Sequence, residues 1–143
     1  MRYLVVLTAA LAMAATAPPA GAFTAVNRLD VNPLPQAGAF EVIQSRGAGP
    51  RQFWCAAADY ARRELGAPAS QRIVLARPRH PAATAPGRTA VTFRMAPRGA
   101  RPESRGGVST TVRIPGEAYS TFFARGFCED GKSDRFDRPW LSP

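Results

Sequence analysis

The sequence predicts an α+β fold, in which a mainly antiparallel sheet of three to four strands packs in two layers on one long helix, with a single disulfide. Three observations predict it. Apolar residues recur at helical spacing over residues 51–65, apolar and polar residues alternate over residues 89–96, and the chain contains two cysteines. With 143 residues, the chain has room for one domain with a modest core.

The amino terminus has the pattern of a secretory signal peptide. A short positive start, "MRY", precedes the apolar run "LVVLTAALAMAATA", and the small residues Ala20 and Ala22 follow. The run is shorter than the roughly 20 residues that cross a bilayer as a helix. We therefore expect a signal peptide over residues 1–22 and a mature chain, residues 23–143, without a transmembrane segment. Its expected location is periplasmic or secreted.

The charge balance is strongly basic. The chain has 19 basic and 10 acidic side chains; without Arg2, 18 basic and 10 acidic residues remain, a formal charge of +8 for the mature chain. Such a charge favours anionic partners, although it identifies no specific site. All basic residues except Lys132 are arginine. A GC-rich coding bias explains that preference as well as selection for binding does.

Cys55 and Cys128 are the two cysteines of the chain. In an oxidising compartment two thiols normally pair, so the sequence predicts a disulfide between them. Two free thiols are one alternative. A metal site is another, but a structural zinc ion needs four ligands and only His80 could join the two sulfurs without recruiting carboxylates. No metal and no cofactor are expected.

Residues 23–38 contain two prolines, two asparagines and no sustained period, which predicts an irregular N-terminal arm. The first strand is expected over "AFEVIQ", residues 39–44. The sequence thus predicts a single α+β domain over residues 39–128 and a polar C-terminal tail over residues 129–143.

The long helix is expected to begin at Pro50, since a proline in the first turn loses only an unpaired donor, and to end at Gly66. Its apolar stripe, which should cover the sheet, consists of Phe53, Trp54, Ala57, Ala58, Ala61 and Leu65. Cys55 falls on the opposite, polar side together with Asp59. A disulfide from Cys55 would therefore bring the Cys128 segment over the outer side of the helix.

Three further strands are expected after the helix. They are the apolar run of residues 72–78, the alternating segment 89–96, and the segment 108–114, in which every second residue is apolar or threonine. Residues 116–131, "GEAYSTFFARGFCEDG", place aromatic residues at helical spacing and predict a short helix. The same residues also suit an extended form, because aromatic and β-branched residues alternate there.

The connecting segments 77–88 and 97–107 are rich in Arg, Pro and Gly and are expected to be loops. The candidate anion-binding residues are Arg77, Arg79, Arg88, Arg98, Arg101 and Arg105. If the flanking strands pair as hairpins, the two loops emerge at opposite ends of the sheet and form no continuous patch. Nucleic acid is not expected as a partner, since neither loop contains an aromatic residue for base stacking.

No catalytic motif marks this chain, and we expect no catalytic residue. The leading hypothesis is an exported, non-enzymatic accessory or binding protein of the cell envelope, which associates with an anionic surface or envelope component, or with a partner protein, through its basic loops. The alternative is a small hydrolase-like periplasmic enzyme with a cleft near Asp59, Tyr60 and His80, the sole histidine.

Several segments together resemble a known family. They are "NRLDVNPLP", "FEVI", "GPRQFWCAAADYARRELGA" and the following "RIVL", with a second cysteine late in the chain. This combination resembles a family of small, uncharacterised exported proteins of Gram-negative bacteria. The resemblance implies a periplasmic location and a shared fold, and it brings no activity, cofactor or catalytic residue.

Overall fold

In the computed structural model, which describes residues 21–102 and 109–130, one antiparallel six-stranded sheet packs against two helices. The strands are β1 (Phe23–Thr24), β2 (Asp30–Pro33), β3 (Ala39–Ile43), β4 (Arg72–Pro81), β5 (Thr89–Met95) and β6 (Ala118–Ser120). The helices are α1 (Pro50–Arg63) and α2 (Thr121–Gly126). The α+β class is confirmed, whereas three to four strands were too few. The long helix is joined by α2, which lies within residues 116–131, where a short helix was one of the two expected forms.

The strands lie in the order β1-β2-β3-β5-β4-β6, and every neighbouring pair is antiparallel. β3 and β5 form the centre, where Phe40 lies opposite Phe93. The predicted alternation in β5 is confirmed, because Val91 and Phe93 are fully buried and Met95 packs against the same core. α1 connects β3 to β4 and covers one face of the sheet.

The ends of α1 follow from local chemistry. Gly49 is the N-cap, Pro50 takes the first helical position, and the backbone N–H of Gly49 donates to Oε1 of Gln52. After the helix, Gly66 adopts a positive φ of 64°, and the N–H of Ala67 donates to the carbonyl of Ala61 at 2.9 Å. The predicted start at Pro50 is confirmed. The helix ends at Arg63, and Gly66, the predicted end, is the residue at which the chain turns away.

The core lies between α1 and the sheet and is built on aromatic residues. The Trp54 ring meets the Phe93 ring edge-on at 4.9 Å, and the rings of Phe40 and Tyr60 are 4.7 Å apart. The buried alanines of the predicted stripe, Ala57, Ala58 and Ala61, let the helix approach the sheet closely. Phe53 and Trp54 are fully buried, whereas Leu65 lies beyond the helix and is exposed.

The disulfide between Cys55 and Cys128 is confirmed, with an S–S distance of 2.18 Å and a Cα–Cα distance of 5.0 Å. It fixes the segment after α2 on the side of α1 that faces away from the sheet. Cys55 and Asp59 are therefore fully buried although they belong to the polar side of α1. As the sequence predicts, the long helix is covered from two directions.

The N-terminal arm predicted over residues 23–38 is wrong in its irregular character. Arg28, with a φ of 66°, closes a turn in which the N–H of Ala25 donates to the carbonyl of Leu29 at 2.9 Å, and this turn joins β1 to β2. Val31 in β2 is fully buried opposite Val42. Strands of two and four residues are too short to show a period in sequence.

The strand predicted over residues 108–114 is also wrong, since residues 109–114 form bends and irregular structure. β6 occupies the edge beside β4 instead, with Tyr119 opposite Ile73. Residues 109–114 cover Trp54. The Nε1–H of Trp54 donates to the carbonyl of Thr111 at 2.9 Å, and Val112 is fully buried. Alternation assigned Val112 to the buried face of a strand. Its side chain is indeed buried, but the backbone that carries it is irregular.

The loop predicted over residues 77–88 is shorter than expected. β4 continues to Pro81 through two register shifts, one between Leu75 and Arg77 and one between Arg77 and His80. The connection to β5 is therefore the turn over residues 82–88. The bulges interrupt the hydrogen-bond ladder between β4 and β5, so a segment rich in arginine and proline can remain part of β4.

Residues 1–20 and 131–143 lie outside the described ranges, so the signal peptide over residues 1–22 and most of the tail over residues 129–143 stay predictions. Within the described ranges, neither helix has the length and apolar character needed to cross a membrane.

Candidate functional site

An open groove runs along α2 and past the start of α1. It consists of two adjoining depressions of about 750 and 480 Å³, which share Arg51, Phe127 and Asp130 in their walls. We call it the α2 groove, defined by Arg51, Arg62, Phe122, Phe123, Arg125 and Phe127. Its larger part lies within the range of volumes that is usual for small-ligand sites.

Two neighbouring phenylalanines project from α2. Phe122 is 73% exposed and Phe123 is 53% exposed. The Phe123 ring rests against Tyr119 at 5.1 Å and Phe127 at 5.3 Å, whereas Phe122 makes no ring contact among the described residues. Of the large apolar side chains in the described ranges, Phe122 is the most exposed. Folding leaves this apolar surface in water, which is typical of interaction sites.

α2 is held firmly in spite of its length of six residues. The Ser120 Oγ caps it by accepting from the N–H of Phe123 at 3.1 Å. The Thr121 hydroxyl, fully buried, donates to the carbonyl of Pro68 at 2.8 Å. Together with the disulfide just beyond the helix, these bonds fix α2 at both ends, so the two phenylalanines are presented on a rigid support.

A buried carboxylate anchors α2 to α1. Asp59 has a fully buried side chain, and its oxygens accept from Arg125 at 2.9 Å, Arg63 at 3.1 Å and the N–H of Val26 at 2.9 Å. A buried carboxylate with three charged or backbone donors is well satisfied. Asp59 therefore joins α1, α2 and the β1–β2 turn, and this explains why an acidic residue lies in the interior.

The three arginines of the α2 groove differ in how strongly they are bound. Arg51 pairs with Asp130 at 3.0 Å and stacks over the Phe127 ring at 5.4 Å, and Arg125 pairs with the buried Asp59. Arg62 is exposed and forms no ion pair with any residue that the structure describes. It is the cation of the groove that can meet an incoming anion without breaking an existing pair.

The candidate anion-binding arginines fall at separate places. Arg79 donates to Oε1 of Gln44 at 3.0 Å and stacks over Phe53, and Arg88 donates to the carbonyl of Gln44 at 2.9 Å. Both hydrogen bonds lie at the end of the β4–β5 hairpin that carries the 82–88 turn. Arg98 and Arg101 follow β5 at the other end and are exposed.

The remaining two candidates add no common patch. Arg77 is exposed and lies opposite Thr92, on the sheet face turned away from α1. Arg105 lies outside the described residues. The structure thus separates the five described arginines along the hairpin, as expected for loops at opposite ends of paired strands.

The residues of the alternative enzyme cleft have other partners. Asp59 is occupied by two arginines and a backbone N–H, and Tyr60 is buried against the rings of Phe23 and Phe40. His80 lies in β4, with Nδ1 2.7 Å from the carbonyl oxygen of Pro81, to which it donates, and Nε2 2.8 Å from the Thr92 hydroxyl. No hydrogen bond in the described ranges joins any two of the three.

A second polar cluster lies on the sheet face opposite α1. Glu41 is fully buried and accepts from the N–H of Ala83 at 3.1 Å, from the N–H of Thr84 at 2.6 Å and from the Thr84 hydroxyl. Burial raises the pKa of Glu41, but these bonds from Thr84 and Ala83 and the nearby His80 outweigh it, so the pKa is lowered. The cluster fastens the 82–88 turn to the sheet.

A third buried group stands behind the aromatic wall of the groove. The Tyr119 hydroxyl donates to Oε1 of the fully buried Glu117, whose Oε2 has no hydrogen-bond partner among the residues that the structure describes. Burial and this hydrogen bond to Glu117 raise the pKa of Tyr119 to about 12. Tyr119 also packs edge-on against Trp54 at 4.6 Å. The pair therefore links the core to the aromatic residues of the groove.

Comparison of the chain with protein-family models, with curated protein sequences and with solved structures gives no match in any of the three. Within the described ranges no group of three or more His, Cys, Asp or Glu residues is arranged to hold a metal ion.

Sequence reasoning missed the α2 groove because it used the aromatic residues of the 116–131 segment only to weigh a short helix against an extended form. One signal was available. Thr121 and Ala124 lie three positions apart and so share one face of a helix. The helix buries this face, which leaves Phe122 and Phe123 on its other side.

Proposed function

We propose that this chain is an exported, non-enzymatic accessory protein of the cell envelope that binds an anionic partner through the α2 groove. One observation carries the proposal: a disulfide-anchored helix presents Phe122 and Phe123 to solvent beside Arg51, Arg62 and Arg125. Exposed aromatic residues next to arginines are the composition that interaction surfaces favour.

Export is supported by the N-terminal pattern and by the disulfide, which fits an oxidising compartment. The resemblance to small exported proteins of Gram-negative bacteria suggests the periplasm. A mature charge of +8 adds a long-range attraction to anionic partners.

The α2 groove is a better binding surface than the basic loops. Among the candidate loop arginines, Arg79 and Arg88 are engaged with Gln44, and the others that the structure describes are spread over the hairpin. The groove combines apolar area with Arg62, a cation that has no ion pair among the described residues. The enzyme alternative gains no support, since Asp59 and His80 direct their hydrogen bonds to different structural partners.

The test is affinity capture by the purified mature protein from an envelope extract at low and at high salt, followed by mass spectrometry. We expect F122S and R62E to lose the partners that the wild-type protein retains. R77E is the matched control, because it makes the same charge change on the opposite sheet face. Equal retention by wild type, F122S and R62E would contradict the proposal.

A further inference from the structure

We infer that the anionic partner of the α2 groove is the surface of a phospholipid bilayer that contains anionic lipids, into which Phe122 and Phe123 insert. This inference rests on the proposed function and adds the chemistry of the partner.

The two phenylalanines suit the headgroup boundary of a bilayer. Phe122 and Phe123 both lie on the side of α2 away from its buried residues, Thr121 and Ala124. With exposures of 73% and 53%, both rings stand out from the surface. The boundary between lipid headgroups and acyl chains accepts aromatic rings in any direction, and burying them there releases the same apolar area from water.

The arginines lie where lipid phosphates would be. Arg51 and Arg125 keep side-chain exposures of 62% and 42% while paired, and Arg62 is exposed without a pair among the described residues. Long arginine side chains reach from an apolar contact up to the headgroup level. Two acidic residues, Glu129 and Asp130, line the same wall, and Asp130 is paired with Arg51; with three arginines the wall keeps a net positive charge. Arg62 is thus the side chain expected to contact an anionic headgroup most directly.

Charge complementarity favours an anionic bilayer over two other candidate partners of the α2 groove. A second copy of the mature chain carries the same +8 and would be repelled. The C-terminal residues 131–143 have three basic and two acidic side chains, so they offer the arginines no net negative charge. An anionic bilayer supplies both the negative surface and the apolar phase.

The experiment is flotation of the mature full-length protein with vesicles of phosphatidylglycerol and phosphatidylcholine in equal parts, and with vesicles of phosphatidylcholine alone. We expect binding to the anionic vesicles, weakened by salt, and little binding to the neutral ones. F122S should partition about tenfold more weakly, which is the fold-change for exposing one large apolar side chain. R62E should lose about thirtyfold, since it removes one attraction and adds a repulsion.

Two control variants separate the site from bulk properties. R77E makes the same charge change on the sheet face turned away from α1 and, because salt screens charges over a Debye length of about 10 Å, should weaken binding less than about threefold. I114S removes an apolar side chain that is 38% exposed and does not line the groove, and it should leave binding unchanged. Unfolding curves show whether each variant is folded. Because Phe122 is highly exposed, we expect F122S to fold.

Insertion is tested with F122W, whose new indole should be quenched by lipids brominated in their acyl chains. Equal effects of R62E and R77E, or absence of quenching, would overturn the inference. A chain that ignores vesicles but dimerises, with F122S abolishing the dimer, would overturn it in favour of a second copy. If vesicles are ignored while capture from the extract still depends on Phe122 and Arg62, lipid is wrong and the proposed function stands. If both assays fail, both proposals fall.

Discussion

Removing the disulfide is expected to lower the free energy of unfolding by about 4 kcal/mol. The perturbation is the double variant C55A/C128A. Alanine is preferred to serine because Cys55 is fully buried, and a hydroxyl there would lack a partner. The bridge joins residues separated by 73 positions, and in the chain-entropy treatment a loop of that length restricts the unfolded chain by about this amount.

The assay is urea unfolding of the oxidised mature protein and of the variant. With a slope of about 1–3 kcal/mol per molar urea for a small domain, the midpoint should fall by roughly 2 M. The slope itself should rise slightly, because an unfolded chain without a crosslink exposes more surface. In the folded state α2 should stay in place, since Thr121 keeps its hydrogen bonds to the segment after α1.

Reduced wild-type protein is the control and should show the same loss, whereas the variant should not respond to reductant. A loss below about 1 kcal/mol would refute the reasoning that the bridge acts by restricting the unfolded chain. A loss of the α2 groove in the folded variant, detected as lost dependence of capture on Phe122, would show that the hydrogen bonds of Thr121 and the Arg125–Asp59 pair do not hold α2 without the bridge.

Three further predictions concern buried polar groups. D59N should lower the free energy of unfolding by about 2 kcal/mol, because it weakens charged hydrogen bonds from two half-exposed arginines, and D59A should cost more in the same urea assay. The pKa of Glu41 is lowered from 4.5, so its stabilising contribution is present above that pH and is lost as the pH falls below it; E41Q should flatten this part of the stability profile, and an unchanged profile would contradict the assignment. Y119F should cost about 1–3 kcal/mol by leaving both oxygens of the buried Glu117 without a partner among the described residues, and in wild type the phenolate absorbance of Tyr119 should appear only near pH 12; titration near pH 10 would contradict its partial burial and its hydrogen bond to Glu117.

The features that the sequence predicted correctly depend on local pattern or on chain chemistry. Pro50 and Gly66 marked the ends of α1 because their backbone preferences act within a few residues. The alternation over residues 89–96 identified β5, since one buried face demands period two. The pairing of Cys55 with Cys128 followed from compartment and count, without any knowledge of the fold.

The misassigned elements depend on partners distant in the chain. Apolar and polar residues alternate over residues 108–114 as they do in β5. However, β4 has one edge that is not paired with β5, and β6, which contains Tyr119, pairs with that edge. The 23–38 segment shows no period, yet Val31 is buried because β3 offers it a neighbour in Val42. Local pattern cannot decide which of two candidates pairs with an edge, since that choice is set by competition among distant segments.

The amino-acid sequence by itself determined the class of fold, the long helix with its two faces, the crosslink and the positive charge, because each of these depends on residue type and spacing along one stretch of chain. Only the tertiary structure decided which polar residues became interior and which apolar ones stayed outside. Asp59 is buried because Arg63, Arg125 and the N–H of Val26 converge on it. Phe122 is exposed because α2 is held in place through Thr121, Ala124 and Cys128, which leaves its ring without a contacting surface in the part of the chain that the structure describes.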